Sequence, residues 1–359
     1  MSPAPPFRPI LKSEGTHLTP CVRAFAVTLL QPPPVAQLLR LTAIPTIPSL
    51  GVSSLPTAAM PTSLTRPSNP STPEATSSTW RAQGASTFLW VSELDAIPGP
   101  KSYLDEAIKV QQKTHKKQIV PFMIDNLPGR DCKYRQFVDE IYATITTKPY
   151  NLLEYAAVVE PNSLSNSTTN TNVAKCATAT PEYAHGIGYV IQKLGRMENV
   201  ALYQDAAHSN WLGWPANPEP MAKLMKDVVA IANGNQTNPQ NPAKIRGYST
   251  NAQGLPVHFI IDQGRSGQQD IRASSSDWCN INHAGFGVRP TTNTGDCIID
   301  ALVWVKPGGQ SDGTTNLTSP RFHENCVSAD AFTPSPEAGS WNEGCVEMLV
   351  KAPLGPAWG

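Results

Sequence analysis

The sequence has no surplus of charge of either sign. Lysine and arginine total 28 of its 359 residues and aspartate and glutamate also total 28, so the formal net charge is zero. Proteins that bind nucleic acids or anionic membrane surfaces need a basic surplus, and we therefore expect neither partner. The chain also lacks any run of about 18 uninterrupted apolar residues, which excludes a membrane-spanning helix.

The seven cysteines lack the C-x-x-C spacing that is typical of a structural zinc site, so we expect no such site. Their odd number leaves at least one thiol unpaired. Three N-x-S/T sequons, at Asn166, Asn235 and Asn316, fit a secreted glycoprotein with disulfides. No clear signal peptide is recognisable, because the only comparable apolar stretch, Ala24–Leu30, begins too far from residue 1.

Proline is abundant, with 35 residues, and 15 of them lie within residues 1–80. Ser53–Thr79 consists almost entirely of Ser, Thr, Pro and Ala, a composition that cannot bury enough apolar surface to fold. We predict that residues 1–85 form a disordered segment, either a linker or a tail without function. Residues 86–359 are predicted to form one domain of a size suited to a β/α barrel.

Strand-like and helix-like segments alternate in this predicted domain. The strand candidates, which are apolar runs with β-branched residues, are Thr87–Val91, Ile119–Asp125, Tyr155–Pro161, Val200–Ala206, Lys244–Thr250, His258–Gly264 and Ala301–Pro307. The helix candidates are Lys101–Lys117, Lys133–Thr147, Pro181–Met197 and Glu219–Asn233, the last with Gly234 placed to cap it. Such alternation predicts parallel strands that are joined by helical crossovers.

One connection is too short for this rule. Only Asn251–Val257 separate the fifth and sixth strand candidates, whereas a parallel crossover needs about a dozen residues or more. Three explanations are open: the two strands are antiparallel, they are not neighbours, or a segment of the crossover is missing from this chain.

The segments that follow the strands are the candidates for chemistry, because a β/α barrel carries its active site at the C-terminal ends of its strands. These segments are rich in Trp, Asp, Arg, Lys and His. Tryptophan faces stack on pyranose rings, and carboxylates are the usual acid and base of glycosidic cleavage. A single Trp or Asp is more often a core or turn residue, but their accumulation at six strand ends favours a sugar polymer as the ligand.

Taken together, these segments resemble glycoside hydrolase family 6, the cellobiohydrolase II and endoglucanase family. The motifs LPxRDC, EPxSL, DAxHxxWLGWP, DQGRSG, DWCN, GFGxRP and WVKPGGxxDG occur in the family's order between about Ser86 and Trp341. The resemblance implies a distorted barrel of about seven parallel strands with a tunnel or cleft across its C-terminal face. It also implies inverting hydrolysis of cellulose or soluble β-1,4-glucan by an extracellular protein, with no metal and no cofactor. Nothing in the sequence points to an oligomer, so we expect a monomer.

The resemblance also assigns roles to individual residues. The catalytic positions are Asn162 at the place of the general acid, Asp131, which supports the acid and helps to distort the substrate, and Asp312 as the proposed base. The substrate-binding residues are Trp90, Asp205, His208, Trp211, Trp214, Trp278 and Lys306. The implied disulfides join Cys132 to Cys176 and Cys279 to Cys326, which leaves Cys21, Cys297 and Cys345 unpaired.

The chain departs from the family at the general acid. The family has an aspartate where this chain has Asn162, and an amide cannot protonate a leaving oxygen. General acid catalysis is worth roughly 10²–10⁴-fold, so we predict reduced or lost activity unless Asp131 takes the role or deamidation of Asn162 regenerates an aspartate. The alternative is a β-glucan-binding protein without catalysis.

Two segments of the family pattern are absent, one after Cys132 and one in the short connection at Asn251–Val257. The second absence accounts for the crossover that is too short. It also leaves a third hypothesis, that the shortened chain does not fold well.

Overall fold

The computed structural model describes residues 85–94, 100–127, 133–169, 174–207, 214–249, 258–274 and 276–352. The segment predicted to be disordered, residues 1–85, therefore lies outside the described residues except for Ala85. Its disorder and its separation from the barrel domain stay predictions.

Seven strands form a single sheet in which every neighbouring pair is parallel and the strand order follows the chain. The strands are β1 (Leu89–Val91), β2 (Ile119–Ile124), β3 (Glu154–Val159), β4 (Val200–Asp205), β5 (Gly247–Ser249), β6 (His258–Asp262) and β7 (Ile299–Val303). The sheet curls until its two edge strands meet. The contact is a hydrogen bond of 3.2 Å from the N–H of Phe88, just before β1, to the carbonyl of Trp304, just after β7. The predicted distorted barrel of seven parallel strands is confirmed.

The helices include all four that the sequence predicts. They are α1 (Pro100–Thr114), α2 (Tyr134–Thr146), α3 (Ser163–Thr169), α4 (Ala174–Leu194), α5 (Pro218–Ala232) and α6 (Glu343–Lys351). The predicted start of α4 at Pro181 was wrong, since this proline lies inside the helix. Within the described residues, no helix has the length and hydropathy that crossing a membrane requires.

The short helix α3 was not predicted. Its sequence, SLSNSTT, has no apolar periodicity, so pattern analysis has nothing to detect. The hydroxyls of Ser167 and Thr168 donate to the carbonyls of Ser163 and Leu164 one turn earlier. Side chains of this type otherwise compete with helix formation, and here they are satisfied inside the helix.

Alternation along the strands builds two separate apolar layers. Side chains on the outer face of the sheet pack against the helices in the larger core cluster, which includes Ile124, Val159 and Leu202. Side chains on the other face fill the barrel interior, where the buried members are Phe88, Met123, Val158, Tyr203 and Ile260. Because side chains alternate between faces, the residue two positions after Tyr203 also faces the interior.

The strands β5 and β6 are parallel neighbours despite their short connection. Gly247 is paired with His258 and Tyr248 with Phe259. The antiparallel and non-neighbour explanations are therefore wrong, which leaves a missing crossover segment. The two strands approach so closely that a Cβ at position 247 would collide with the carbonyl oxygen of His258, so this position requires glycine.

A polar cluster joins four strands at the opposite end of the barrel from the candidate chemistry. The Asp300 carboxylate accepts hydrogen bonds from Arg246 Nε at 2.9 Å, from Arg246 Nη2 at 2.8 Å and from the Tyr203 hydroxyl at 2.6 Å. His258 Nδ1 lies 2.9 Å from the same carboxylate. Burial raises the pKa of Asp300, but the hydrogen bonds from Arg246 and Tyr203 outweigh it and hold this pKa below its usual range.

We expect Asp300→Asn to lower the free energy of unfolding by roughly 3–5 kcal/mol near neutral pH, because it leaves Arg246 buried without a counter-charge. Asp227→Asn breaks the exposed Lys223–Asp227 pair and serves as the control, with an expected loss of less than about 1 kcal/mol. The lowered pKa means that Asp300 stabilises the fold above its unfolded pKa of about 3.9 and loses this effect as the pH falls through the folded value. Chemical denaturation at several pH values measures this, and equal losses for both variants would contradict it.

Candidate active site

The structure describes part of the predicted site. Asp131, Cys132, His208 and Trp211 lie outside the described residues, and nothing is described of the Cys176 side chain within α4. The predicted disulfide between Cys132 and Cys176 and the role of Asp131 therefore stay predictions. The remaining predicted residues are all described, and they are Trp90, Asn162, Asp205, Trp214, Trp278, Cys279, Lys306, Asp312 and Cys326.

The densest contacts in the site surround Asp312, in the loop after β7. Its carboxylate accepts two hydrogen bonds from Arg265, at 2.7 and 2.9 Å, and one from Lys306 Nζ at 2.7 Å. The backbone N–H of Asn280 donates to the same carboxylate at 2.8 Å, and the Asn280 side chain accepts from the Asp312 N–H at 2.7 Å. One carboxylate thus connects the loop after β6 to the loop after β7.

These cations determine the ionisation of Asp312. Burial raises the pKa of a carboxyl group, but the adjacent Arg265 and Lys306 outweigh burial and hold the pKa of Asp312 well below its usual range. Burial lowers the pKa of Lys306. With these two cations facing it, Asp312 is an ionised acceptor that cannot donate a proton.

Arg265 is a site residue that the sequence analysis did not single out, although it stands inside the quoted motif DQGRSG. Its guanidinium contacts Asp312, which lies 47 positions further along the chain. A pairing over such a distance carries no local pattern. The only available signal was an arginine directly after a buried strand.

The disulfide between Cys279 and Cys326 is present in the structure, and it lies beside the Asp312 cluster. Trp278 precedes the first cysteine, its side chain is 45% exposed, and its ring centroid lies 5.2 Å from that of His323. The disulfide thus holds the loops that carry these two rings. Cys297 and Cys345 are free.

Two other tryptophans predicted to bind substrate are described, and they lie on different elements. The Trp90 indole on β1 donates to the Val305 carbonyl at 2.7 Å, so it helps to close the barrel between β1 and β7. Together with Pro307 and Gln310 it lines a cavity of about 170 Å³. Trp214 is exposed just before α5.

Asn162 and Asp205 meet at the C-terminal ends of β3 and β4. The Asn162 side chain is exposed, and its backbone N–H donates to Asp205 Oδ2 at 2.9 Å. The N–H of Ala207 donates to the same oxygen at 3.1 Å, and the Ser249 hydroxyl donates to Oδ1 at 3.3 Å. Burial raises the pKa of Asp205 to about 6, although these three donors favour the ionised form.

Glu160 is a second residue to which the sequence analysis assigned no role. Its side chain is completely buried, and it accepts from the N–H groups of Asn126 and Leu127 at 3.1 and 3.0 Å and from the Tyr134 hydroxyl at 2.7 Å. These partners flank residues 128–132, the segment that carries Asp131. Glu160 thus ties both ends of that segment to the turn that carries Asn162.

Burial raises the pKa of Glu160 to about 7, against the lowering effect of its three hydrogen-bond donors. A protonated carboxyl group is therefore favoured at acidic pH. Within the described residues, no group of three or more His, Cys, Asp or Glu side chains is arranged to hold a metal ion.

Comparisons with known proteins agree on one family. The family model described as "Glycosyl hydrolases family 6" matches residues 57–254 and 250–353. The two matched parts overlap at residues 250–254, in the short connection between β5 and β6. Exoglucanase 3 of Agaricus bisporus is 40% identical over 310 residues, which cover 74% of this chain and 69% of that protein.

Solved structures are similar over most of the described chain. CcCel6C, a glycoside hydrolase family 6 enzyme from Coprinopsis cinerea, has a TM-score of 0.72 and 34% identity, and the match covers 79% of this chain and 91% of that one. The CcCel6A catalytic domain, which was solved with p-nitrophenyl β-D-cellotrioside, has a TM-score of 0.69 and 33% identity, with 80% and 92% covered.

We expect Glu160→Gln to gain stability relative to the wild type as the pH rises. A carboxyl whose folded pKa is raised to about 7 stabilises the fold below its unfolded pKa of about 4.3, and this effect is lost as the pH rises through about 7. The glutamine side chain of the variant does not titrate, so the melting temperature of the wild type minus that of the variant falls between about pH 5 and about pH 8. Glu182→Gln, on the exposed surface of α4, is the control with a constant difference. A constant difference for both variants would contradict the raised pKa.

Proposed function

Since this chain belongs to the glycosyl hydrolases family 6, we propose that it hydrolyses the β-1,4-glucosidic bonds of cellulose or soluble β-1,4-glucan with inversion at the anomeric carbon. The observation that carries this proposal is the cluster of Asp312, Arg265 and Lys306 beside the exposed ring of Trp278. The cluster supplies an ionised acceptor and cationic donors, and the ring supplies an apolar platform. A hydrated sugar ring needs both kinds of contact.

The residues divide into those that hold the glucan and those that act on water. Trp90, Trp214 and Trp278 provide stacking surfaces, and Lys306 and Arg265 donate to sugar hydroxyls. Asp312 stays ionised, and its hydrogen bonds hold Arg265 and Lys306 in place where water attacks the anomeric carbon. A carboxylate with such a low pKa is a weak base, so the proton released by the attacking water passes to solvent.

We also propose that the protein acts outside the cell as a monomer. The disulfide between Cys279 and Cys326 supports this location, because disulfides persist in oxidising compartments. Of the three sequons, Asn235 and Asn316 are exposed, whereas Asn166 lies half-buried within α3. The exposed pair are the proposed attachment points for N-linked glycans.

The test is sugar release from a soluble β-1,4-glucan by the purified full chain, with the anomeric form of the first product followed by NMR. Hydrolysis with inversion yields the α-anomer first. Initial release of the β-anomer would contradict inversion, and binding without release would contradict hydrolysis.

A second function is favoured by a specific observation, which is the exposed amide of Asn162 at the general-acid position. In this case the protein binds β-glucan and does not cleave it. Asn162→Asp then creates activity, with an expected gain of roughly 10²–10⁴-fold over the background of the unmodified chain. A comparable rate for both forms would exclude the binding-only function.

We expect Trp278→Ala to weaken glucan binding about fivefold to tenfold, since the loss of one stacking contact costs roughly 1 kcal/mol. Leu152→Ala is the matched control, because Leu152 is 53% exposed but precedes β3 and so lies at the N-terminal ends of the strands, opposite the site. Affinity electrophoresis in a gel that contains soluble glucan measures both variants. An unchanged mobility shift for Trp278→Ala would remove this residue from the binding surface.

A further inference from the structure

The proposed hydrolysis needs a proton for the leaving oxygen, and Asn162 cannot supply it. We propose that Asp205, at the C-terminal end of β4, donates this proton in place of the missing acid. The inference rests on the proposed function. It concerns a residue to which the family resemblance gives only a sugar-binding role.

Three other carboxyl groups at these strand ends are poorly suited. Asp312 is held ionised by Arg265 and Lys306. Glu160 is completely buried and all of its contacts are to the loop after β2 and to Tyr134, so it has no open side toward a substrate. Asp262 lies on β6 near Arg265, whose positive charge favours the ionised form of its carboxyl group, whereas no cation acts on Asp205 in this way.

Asp205 is adjacent to the vacant acid position itself. Its Oδ2 receives the N–H groups of both Asn162 and Ala207. These two residues have φ angles of 66° and 65°, a left-handed conformation that non-glycine residues rarely adopt. In this conformation the N–H groups of both residues donate to the same carboxylate oxygen. The carboxyl group lies on the interior face of the barrel, at its mouth, where a glucan crossing the C-terminal face would pass.

The same contacts determine which oxygen carries the proton. Oδ2 faces two backbone donors and cannot itself be protonated without losing one of them. Oδ1 has a single, long contact from the Ser249 hydroxyl, which can reverse and accept a hydrogen bond from a protonated Oδ1. No Arg or Lys among the described residues forms an ion pair with Asp205.

Burial raises the pKa of both aspartates, but only Asp312 has paired cations, so the two pKa values move in opposite directions. The pKa of Asp205 is raised to about 6, whereas that of Asp312 lies well below its usual range. Two carboxyl groups whose environments separate their pKa values in this way are the usual arrangement for an acid and an ionised partner. Asp205 is protonated under mildly acidic conditions at which Asp312 is fully ionised.

The step balances without a further reactant. As the bond between C1 and the glycosidic oxygen breaks, its electron pair stays on the oxygen, which takes the proton from Asp205 Oδ1. Water attacks C1 from the opposite face, forms the new C–O bond and releases one proton to solvent. Asp205 is left as a carboxylate and regains a proton from solvent before the next cycle.

The experiment compares two substrates with different needs for an acid. Soluble β-1,4-glucan has a poor sugar leaving group that needs protonation, whereas a 2,4-dinitrophenyl β-cellotrioside has a leaving group that departs without it. The full chain is assayed alongside Asp205→Asn, with Asp131→Asn as the competing donor and Asp227→Asn, in the exposed pair on α5, as the control. Asparagine at position 205 keeps an oxygen for the two N–H donors, and melting temperatures confirm that each variant folds.

We expect Asp205→Asn to reduce glucan hydrolysis by about 100-fold or more and dinitrophenyl release by less than about tenfold, with neither altered by Asp227→Asn. Equal losses on both substrates would indicate a structural role and overturn the proposal. The same is true if Asp131→Asn, and not Asp205→Asn, shows the substrate-dependent loss. A full chain that cleaves only the dinitrophenyl substrate has no donor, which overturns the role of Asp205 alone. A chain that cleaves neither substrate overturns the proposed hydrolysis itself.

Discussion

The site depends on one constraint, which is that a carboxylate buried at the end of a parallel strand must be hydrogen-bonded by its neighbours. Each such carboxylate here fastens its own strand to an adjacent one. Glu160 on the end of β3 holds the segment after β2, and Asp205 on β4 holds the turn after β3 and the last residue of β5. Asp262 on β6 holds the residues after β7, and Asp312 after β7 holds Arg265 after β6. The chemistry and the stability of the barrel mouth therefore come from the same side chains.

This arrangement explains how the fold accommodates an amide at Asn162, the position that we propose for the acid. The turn at Asn162 is held by its backbone N–H, which any residue provides, and not by its side chain. Its left-handed backbone suits asparagine as well as aspartate, because both tolerate this conformation better than other non-glycine residues. The exchange thus removes a proton without removing a structural contact. A barrel mouth of this kind can lose or move its acid while the surrounding geometry persists.

The local sequence pattern was sufficient to predict the strands of the sheet. It was insufficient to predict the contacts between side chains at the strand ends. Apolar runs with β-branched residues located all seven strands, and alternation with helices predicted their parallel direction. The helix α3 was not predicted because it has no apolar stripe, and the hydroxyls of its Ser and Thr residues donate to carbonyls within the helix. Loop length revealed the conflict at Asn251–Val257, but only the pairing of Gly247 with His258 selected among its explanations. The roles of Glu160 and Arg265 were out of reach, since each acts on partners that are distant in the chain and close only after folding.

The rigid mounting of Trp278 has a consequence for the kind of polymer that suits this surface. Its ring is packed against His323, and the disulfide between Cys279 and Cys326 joins the two loops behind them. The contact with His323 restricts the indole before a sugar arrives, which reduces the entropic penalty of about 0.5–1.5 kcal/mol for ordering a side chain. The same rigidity prevents the ring from following an irregular outline. A flat, evenly repeating ribbon gains the full benefit of such a platform, whereas a branched or coiled chain does not.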